Sequence, residues 1–246
     1  VGYGGSGKSS STQAFVNMLN AYNKRHLLLA PTGRAAKVLS GFTNETAMTI
    51  HRGLMYMPPA DWGFNEENKL PYDVVIVDEF SMVDIFLFRK LLEAIDFEKT
   101  KLLLIGDDAQ IPSVGAGNVL YDLLKCENIP TITLDKVFRY GKGGLSTVAT
   151  DTRTGTEYLD KTKTGMQVFG EDQSYIFMPI LQDKLVEYTV KLYQTLLSKG
   201  YSVDDIAVLS CYNVGDYGTV ALNKKIQNAV NSNPKAKITF GDTEFR

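Results

Sequence analysis

Apolar and polar positions along this chain fall into blocks: short continuous apolar runs, separated by amphipathic stretches of helical period. Leu27–Ala30, Val74–Val77 and Leu102–Ile105 contain no polar residue. Strands buried on both faces read this way, because neither face meets water. Between them the spacing predicts helices over Lys8 to Ala21, Arg34 to Leu39, Asp84 to Ile95 and Asn118 to Leu124, with a fourth strand at Thr131–Leu134. Such alternation predicts an α/β fold, a parallel sheet with helices on both faces. The pattern breaks within residues 53–72, where Met57 to Asn65 combine prolines and aromatics without a helical period. That stretch reads as a small inserted hairpin or loop.

Past Arg139 the pattern softens, and residues 140–170 are rich in glycine, threonine and charge. A long amphipathic helix is expected from Gln182 to Ser198, closed by Gly200 as a C-cap. Ile206–Leu209 then reads as a strand and Val220–Val230 as a helix.

Composition changes this picture little. The 246 residues suffice for one large or two moderate domains, and 44% apolar with 22% charged residues is ordinary for a soluble, cytoplasmic protein. The formal charge of −2 announces no nucleic-acid partner. Cys126 and Cys211 match no metal-ligand spacing and read as buried reduced thiols. No apolar run approaches the roughly 18 residues of a membrane span, and no basic-then-apolar leader opens the chain. A glycine-rich opening normally follows a buried strand, of which only Val1 is present.

The chemistry lies in that opening. Gly2-Tyr3-Gly4-Gly5-Ser6-Gly7-Lys8-Ser9 fits G-x-x-x-x-G-K-[ST] in full. Its glycines let backbone N–H groups face phosphates, and the helix beginning near Lys8 adds its positive end. Gly2, Gly4, Gly5, Ser6, Gly7, Lys8, Ser9 and Ser10 are therefore the candidate ATP-binding residues. Lys8 is expected to reach the β- and γ-phosphates and the Ser9 hydroxyl to hold Mg²⁺. Asp78 and Glu79 follow the apolar run Val74–Val77, at the strand end where open α/β sheets bind ligands. Asp78 suits Mg²⁺, and Glu79 suits the base that deprotonates the attacking water. Gln110, beyond Leu102–Ile105, is either delivered toward the γ-phosphate as a sensor or, as is usual for a loop Gln, simply solvated.

Further runs carry a specific resemblance. Ala30 to Lys37, Thr49 to Arg52, Asp78 to Met82, Gly106 to Gly117 and Leu134 to Arg139 resemble motifs Ia, Ib, II, III and IV of superfamily 1 DNA helicases of the RecD/TraA type. That family, exodeoxyribonuclease V alpha-like, includes the phage Dda helicase. Val208 to Gln227 resembles a segment of its second domain. Tyr3-Gly4 stands where Gly-Pro is usual, Ser9 where Thr is usual, and Tyr140 where Gln is usual. Nothing up to Arg246 resembles motifs V and VI.

The resemblance implies two RecA-like domains, residues 1–134 and an incomplete 135–246, with ATP and Mg²⁺ held between them. Arg139 would be an arginine finger, joining Glu79 and Gln110 as catalytic residues. Pro31, Thr32, Gly33, Arg34, Thr49 and His51 would lie along single-stranded DNA. Residues 53–72 would form a pin whose Trp62 and Phe64 either stack on the end base pair of a duplex junction or bury against the domain. The implied activity is 5′→3′ unwinding in recombination, repair or replication, beside proteins of those pathways. A nucleic-acid-binding module with an incomplete ATPase is the alternative, and unwinding by these 246 residues alone is not expected.

Overall fold

A computed structural model describes residues 1–136, 143–232, 236–241 and 243–245. The chain divides into two compact units, Val1–Tyr158 with Phe169–Tyr175, and Leu159–Val168 with Ile176–Arg246.

The first unit opens with α1 (Lys8–Ala21), β1 (His26–Ala30), α2 (Gly33–Thr43), β2 (Ala47–Thr49) and the single turn α3 (Ile50–Gly53). The hairpin β3 (Tyr56–Met57) and β4 (Asp61–Trp62) follows, then β5 (Val74–Val77), α4 (Ile85–Glu93), β6 (Lys101–Leu104), α5 (Val119–Leu124) and α6 (Gly144–Thr154). Four strands form one sheet in the order β2-β1-β5-β6. All three pairings are parallel, with Leu28 opposite Ile76 and Ile76 opposite Leu103. This is the parallel α/β architecture that the alternation implied, and it matches the RecA-like P-loop fold that the resemblance implied.

Burial follows the apolar runs. Each residue of β5 is buried, and Leu28, Leu29, Val75, Ile76 and Val77 are at most 1% exposed. One face packs on Ile50, Leu54, Phe80, Phe88 and Leu91, and the other on Val16, Leu19 and Leu39. Deleting such side chains typically costs about 2–5 kcal/mol, so this sheet is a rigid support for its loops.

The insert is a hairpin as expected, with Tyr56 opposite Trp62. Trp62 and Phe64 are partly buried against the core. Thr131–Leu134 is not a strand: only Leu134 forms a bridge, with Gly2. β2 was unforeseen, since Ala47-Met48-Thr49 is a brief edge run. So was α6, which carries few apolar residues.

Elements β7 (Gln167–Phe169) and β8 (Tyr175–Phe177) follow α6. In the second unit α7 (Leu185–Ser198) packs on α8 (Thr219–Val230), and β9 (Ile238–Phe240) pairs with β10 (Thr243–Phe245). Gly200 has φ +94° after α7, as its capping role requires. Ile206–Leu209 is not a strand, because no neighbouring strand lies beside it among the described residues to take its backbone hydrogen bonds. Both cysteines are exposed rather than buried, correcting the reading from spacing. Among the described residues no helix is long and apolar enough to cross a membrane.

Candidate nucleotide site and nucleic-acid interface

Because β2, β1, β5 and β6 run parallel, their carboxyl ends open on one edge of the sheet. Thr49, Pro31, Asp78 and Gly106 leave the sheet there, each within two residues of its strand's end. The phosphate loop joins them through Gly2, whose N–H donates to the Gly106 carbonyl at 3.1 Å. A Cβ at Gly2 would lie 2.5 Å from Ser6 Oγ and 2.8 Å from Leu134 Cβ, so the loop can enter here only as glycine. Gly5 and Gly7 have φ of +82° and +92°, the left-handed region that lets the loop coil around an anion.

Lys8, the first residue of α1, folds back over the loop. Its Nζ donates to the carbonyls of Gly2 at 2.6 Å and Tyr3 at 3.0 Å, and lies 3.9 Å from Asp107 Oδ2. Ser6 Oγ is buried without a hydrogen-bond partner. A buried hydroxyl left unpaired is costly and fits a phosphate oxygen.

Asp78 and Glu79 leave β5 beside this loop. The Glu79 N–H donates to Asp78 Oδ1 at 2.9 Å, and Glu79 takes φ 52°, rare for a residue with a Cβ. Its Oε2 is also buried and unpartnered. Burial first, then the Asp78 charge, raise the Glu79 carboxyl above its ordinary value, with Lys8 opposing. Burial raises Asp78 likewise, against the Glu79 amide and Lys8. Lys8 is therefore close enough to act on both carboxylates.

The donor set fits Mg²⁺. Ser9 and Asp78 offer hard oxygens, and a desolvated Asp78 lacks only a cation to favour its charge. No group of three or more His, Cys, Asp or Glu side chains among the described residues could hold a metal alone. Mg²⁺ characteristically completes such a site with substrate phosphates.

The loop beyond β6 carries Asp107, 2% exposed, and Gln110, which is exposed. Asp107 accepts from Ala109 N at 3.2 Å and pairs with Arg153 Nη2 of α6 at 3.0 Å. Arg153 was missed in the sequence, where it sits in a stretch without an apolar run and carries no motif. Arg139 lies outside the described residues.

Nearer β1 and β2, the Thr32 hydroxyl oxygen accepts from Ala35 N and that of Thr49 from Arg52 N, both at 3.2 Å. Both cap helices, so each has only its hydroxyl proton left to donate to a phosphate. Gly33, Arg34 and His51 are exposed and Pro31 half-buried. His51 stacks on Trp62 with ring centroids 5.7 Å apart, and Tyr56 lies 4.6 Å from Trp62. A cavity of about 350 Å³ beside them is lined by His51, Trp62, Asp84, Phe86, Arg89 and Lys90. The structure thus brings Lys8, Asp78, Glu79 and Asp107 together, and separately His51, Tyr56 and Trp62.

A glycine loop, a lysine folded back over it and a strand-end Asp-Glu pair on a parallel sheet are the features of a P-loop NTPase. Residues 1–168 match the AAA domain family, and the chain belongs to that family. Its relatives are helicases of the RecD type. It is 40% identical over 135 residues to the ATP-dependent RecD2 DNA helicase of Deinococcus radiodurans, covering 55% of this chain and 18% of that one. It is 29% identical over 230 residues to the RecBCD enzyme subunit RecD of Mycolicibacterium smegmatis, covering 82% and 41%. With the ATP-dependent DNA helicase dda of Enterobacteria phage T4 it shares 33% identity over 261 residues, covering 99% and 53%. The chain therefore spans roughly half or less of these relatives' lengths.

Proposed function

We propose that this chain is the motor portion of an ATP-dependent DNA helicase, moving 5′→3′ along single-stranded DNA in recombination, repair or replication. The observation that carries this reading is the convergence of Gly2, Lys8, Asp78, Glu79 and Asp107 at one edge of a rigid parallel sheet. Thr32, Thr49 and His51 leave neighbouring strands at the same edge.

The chemistry follows from these residues. Backbone N–H groups of Gly4 to Lys8 and the Ser6 hydroxyl hold the phosphates in place. Lys8 exchanges its loop carbonyls for phosphate oxygens and stabilises the charge that develops in transfer. Mg²⁺, held by Ser9 and Asp78, would neutralise phosphate charge in transfer. Glu79 accepts the proton of the attacking water, a role its raised basicity and unpartnered Oε2 suit. Gln110 and Arg139 are assigned γ-phosphate contacts by their motifs alone.

Pro31, Thr32, Gly33, Arg34, Thr49, His51 and Trp62 are the proposed DNA contacts. Hydroxyls and backbone amides there would hold phosphates, and the His51–Trp62 stack would offer a face to a base. The test is ATP-dependent displacement of a 5′-tailed strand by the full-length protein. ATP turnover indifferent to DNA would instead favour another P-loop hydrolase.

A further inference from the structure

Asp107, 2% exposed, is the most deeply buried acidic residue among the described residues, and two cations share it. Arg153 Nη2 lies 3.0 Å from its Oδ1, while Lys8 Nζ stands 3.9 Å from its Oδ2. Arg153 also reaches Asp108 Oδ1 at 3.2 Å. Its guanidinium carbon lies 3.6 Å from the centroid of the Tyr3 ring, inside the phosphate loop. One side chain of α6 therefore grips the loop beyond β6 by two carboxylates and the phosphate loop by an aromatic face.

A buried carboxylate demands a cation. With Arg153 at the shorter distance, Asp107 is already compensated, and Lys8 is held mainly by the carbonyls of Gly2 and Tyr3. Without Arg153, Lys8 would be the cation left beside Asp107 among the described residues, and an incoming phosphate would have to compete with that carboxylate. We infer that Arg153 is a positioning residue of the nucleotide site: it neutralises Asp107 so that Lys8 is free to turn to phosphate, and it steadies the loop through Tyr3. This rests on the nucleotide-site reading above.

The test is titration of the full-length protein with a fluorescent ATP analogue and Mg²⁺, with thermal melting alongside. Arg153→Ala should raise Kd by about tenfold or more, because Lys8 is then bound to an uncompensated buried charge. Arg153→Lys, which keeps the charge but loses the reach to both carboxylates and the Tyr3 stack, should lose less than the tenfold expected of alanine. Arg153→Ala combined with Asp107→Asn should recover most of the lost affinity, since the competitor for Lys8 is gone. At saturating nucleotide the turnover of Arg153→Ala should change less than its KM.

Binding by Arg153→Ala within twofold of the parent overturns the inference, as does a double variant that melts like the parent yet binds no better than Arg153→Ala. If both alanine-bearing variants unfold, Arg153→Lys decides: a folded lysine variant with about a tenfold loss contradicts charge neutralisation as the mechanism. A parent protein that binds no nucleotide removes the phosphate-site reading itself, and this inference with it.

Discussion

The Glu79 backbone N–H donates to the carboxylate of its own neighbour Asp78, at 2.9 Å, while the Glu79 backbone holds φ 52°. This bond occupies one Asp78 oxygen. A left-handed conformation in a residue with a Cβ costs of order 1–3 kcal/mol and recurs at functional sites. The sharp turn leaves Glu79 Oε2 buried and unpartnered, as a base requires before water arrives.

Glu79→Gln should therefore bind ATP within a few-fold of the parent and slow hydrolysis by about 10²–10³, the typical contribution of a positioned base. Nucleotide titration and single-turnover hydrolysis check the two halves separately. Loss of binding together with hydrolysis would make Glu79 structural.

The same substitution should stabilise the nucleotide-free protein at neutral pH. The Glu79 carboxyl is raised in the folded state, so between its ordinary and raised values the folded protein binds more protons than the unfolded one. Stability is then lost as pH rises through that window. Glutamine carries no such penalty, so thermal melts should place the variant above the parent at pH 7, with the gap closing below about pH 4, where Glu79 is protonated in folded and unfolded states alike. A variant that melts lower at pH 7 would count against it.

Gly2→Ala and Gly4→Ala should part company in melting temperature. An added Cβ at Gly2 meets Ser6 Oγ at 2.5 Å, whereas at Gly4 it meets nothing within 4 Å. The first should lower the melting temperature by several degrees, since overpacking costs about 1–3 kcal/mol. The second should leave it close to the parent. Equal melting temperatures would show that the Gly2 approach is not tight in solution.

For the hairpin, the His51–Trp62 stack is the feature to test. His51→Ala should weaken single-stranded DNA binding by about 1–3 kcal/mol, the usual worth of one stacked base. Anisotropy of a labelled oligonucleotide at two salt concentrations measures this. Trp62→Ala should in addition melt early, because Trp62 also packs on the core. Unchanged DNA affinity in His51→Ala would leave the aromatic cluster a purely structural device.

The strands and phosphate loop were legible because their signals are local. β1, β5 and β6 announce themselves as apolar runs, and the glycines with Lys8 form a fixed spacing. Partner-dependent features were not legible. Leu134 and Ile206–Leu209 are as apolar as β1, yet a strand also needs a neighbour, which no periodicity reports. Arg153 reaches Asp107 across 46 positions, and only the packing of α6 reveals that relationship. The hydroxyls of Thr32 and Thr49 illustrate a third limit: sequence marks them as polar at strand ends but not as caps already engaged with Ala35 and Arg52.

The central claim is that ATP hydrolysis at Lys8 is coupled to DNA, and steady-state ATPase of the full-length protein with and without a single-stranded oligonucleotide tests it most directly. Turnover should depend on Mg²⁺, rise by about tenfold or more when DNA is added, and fall by roughly 10³ in Lys8→Ala, as loss of one charged group at a phosphoryl-transfer site typically does. Turnover that ignores DNA, or a Lys8→Ala protein that hydrolyses ATP as fast as the parent, would contradict it.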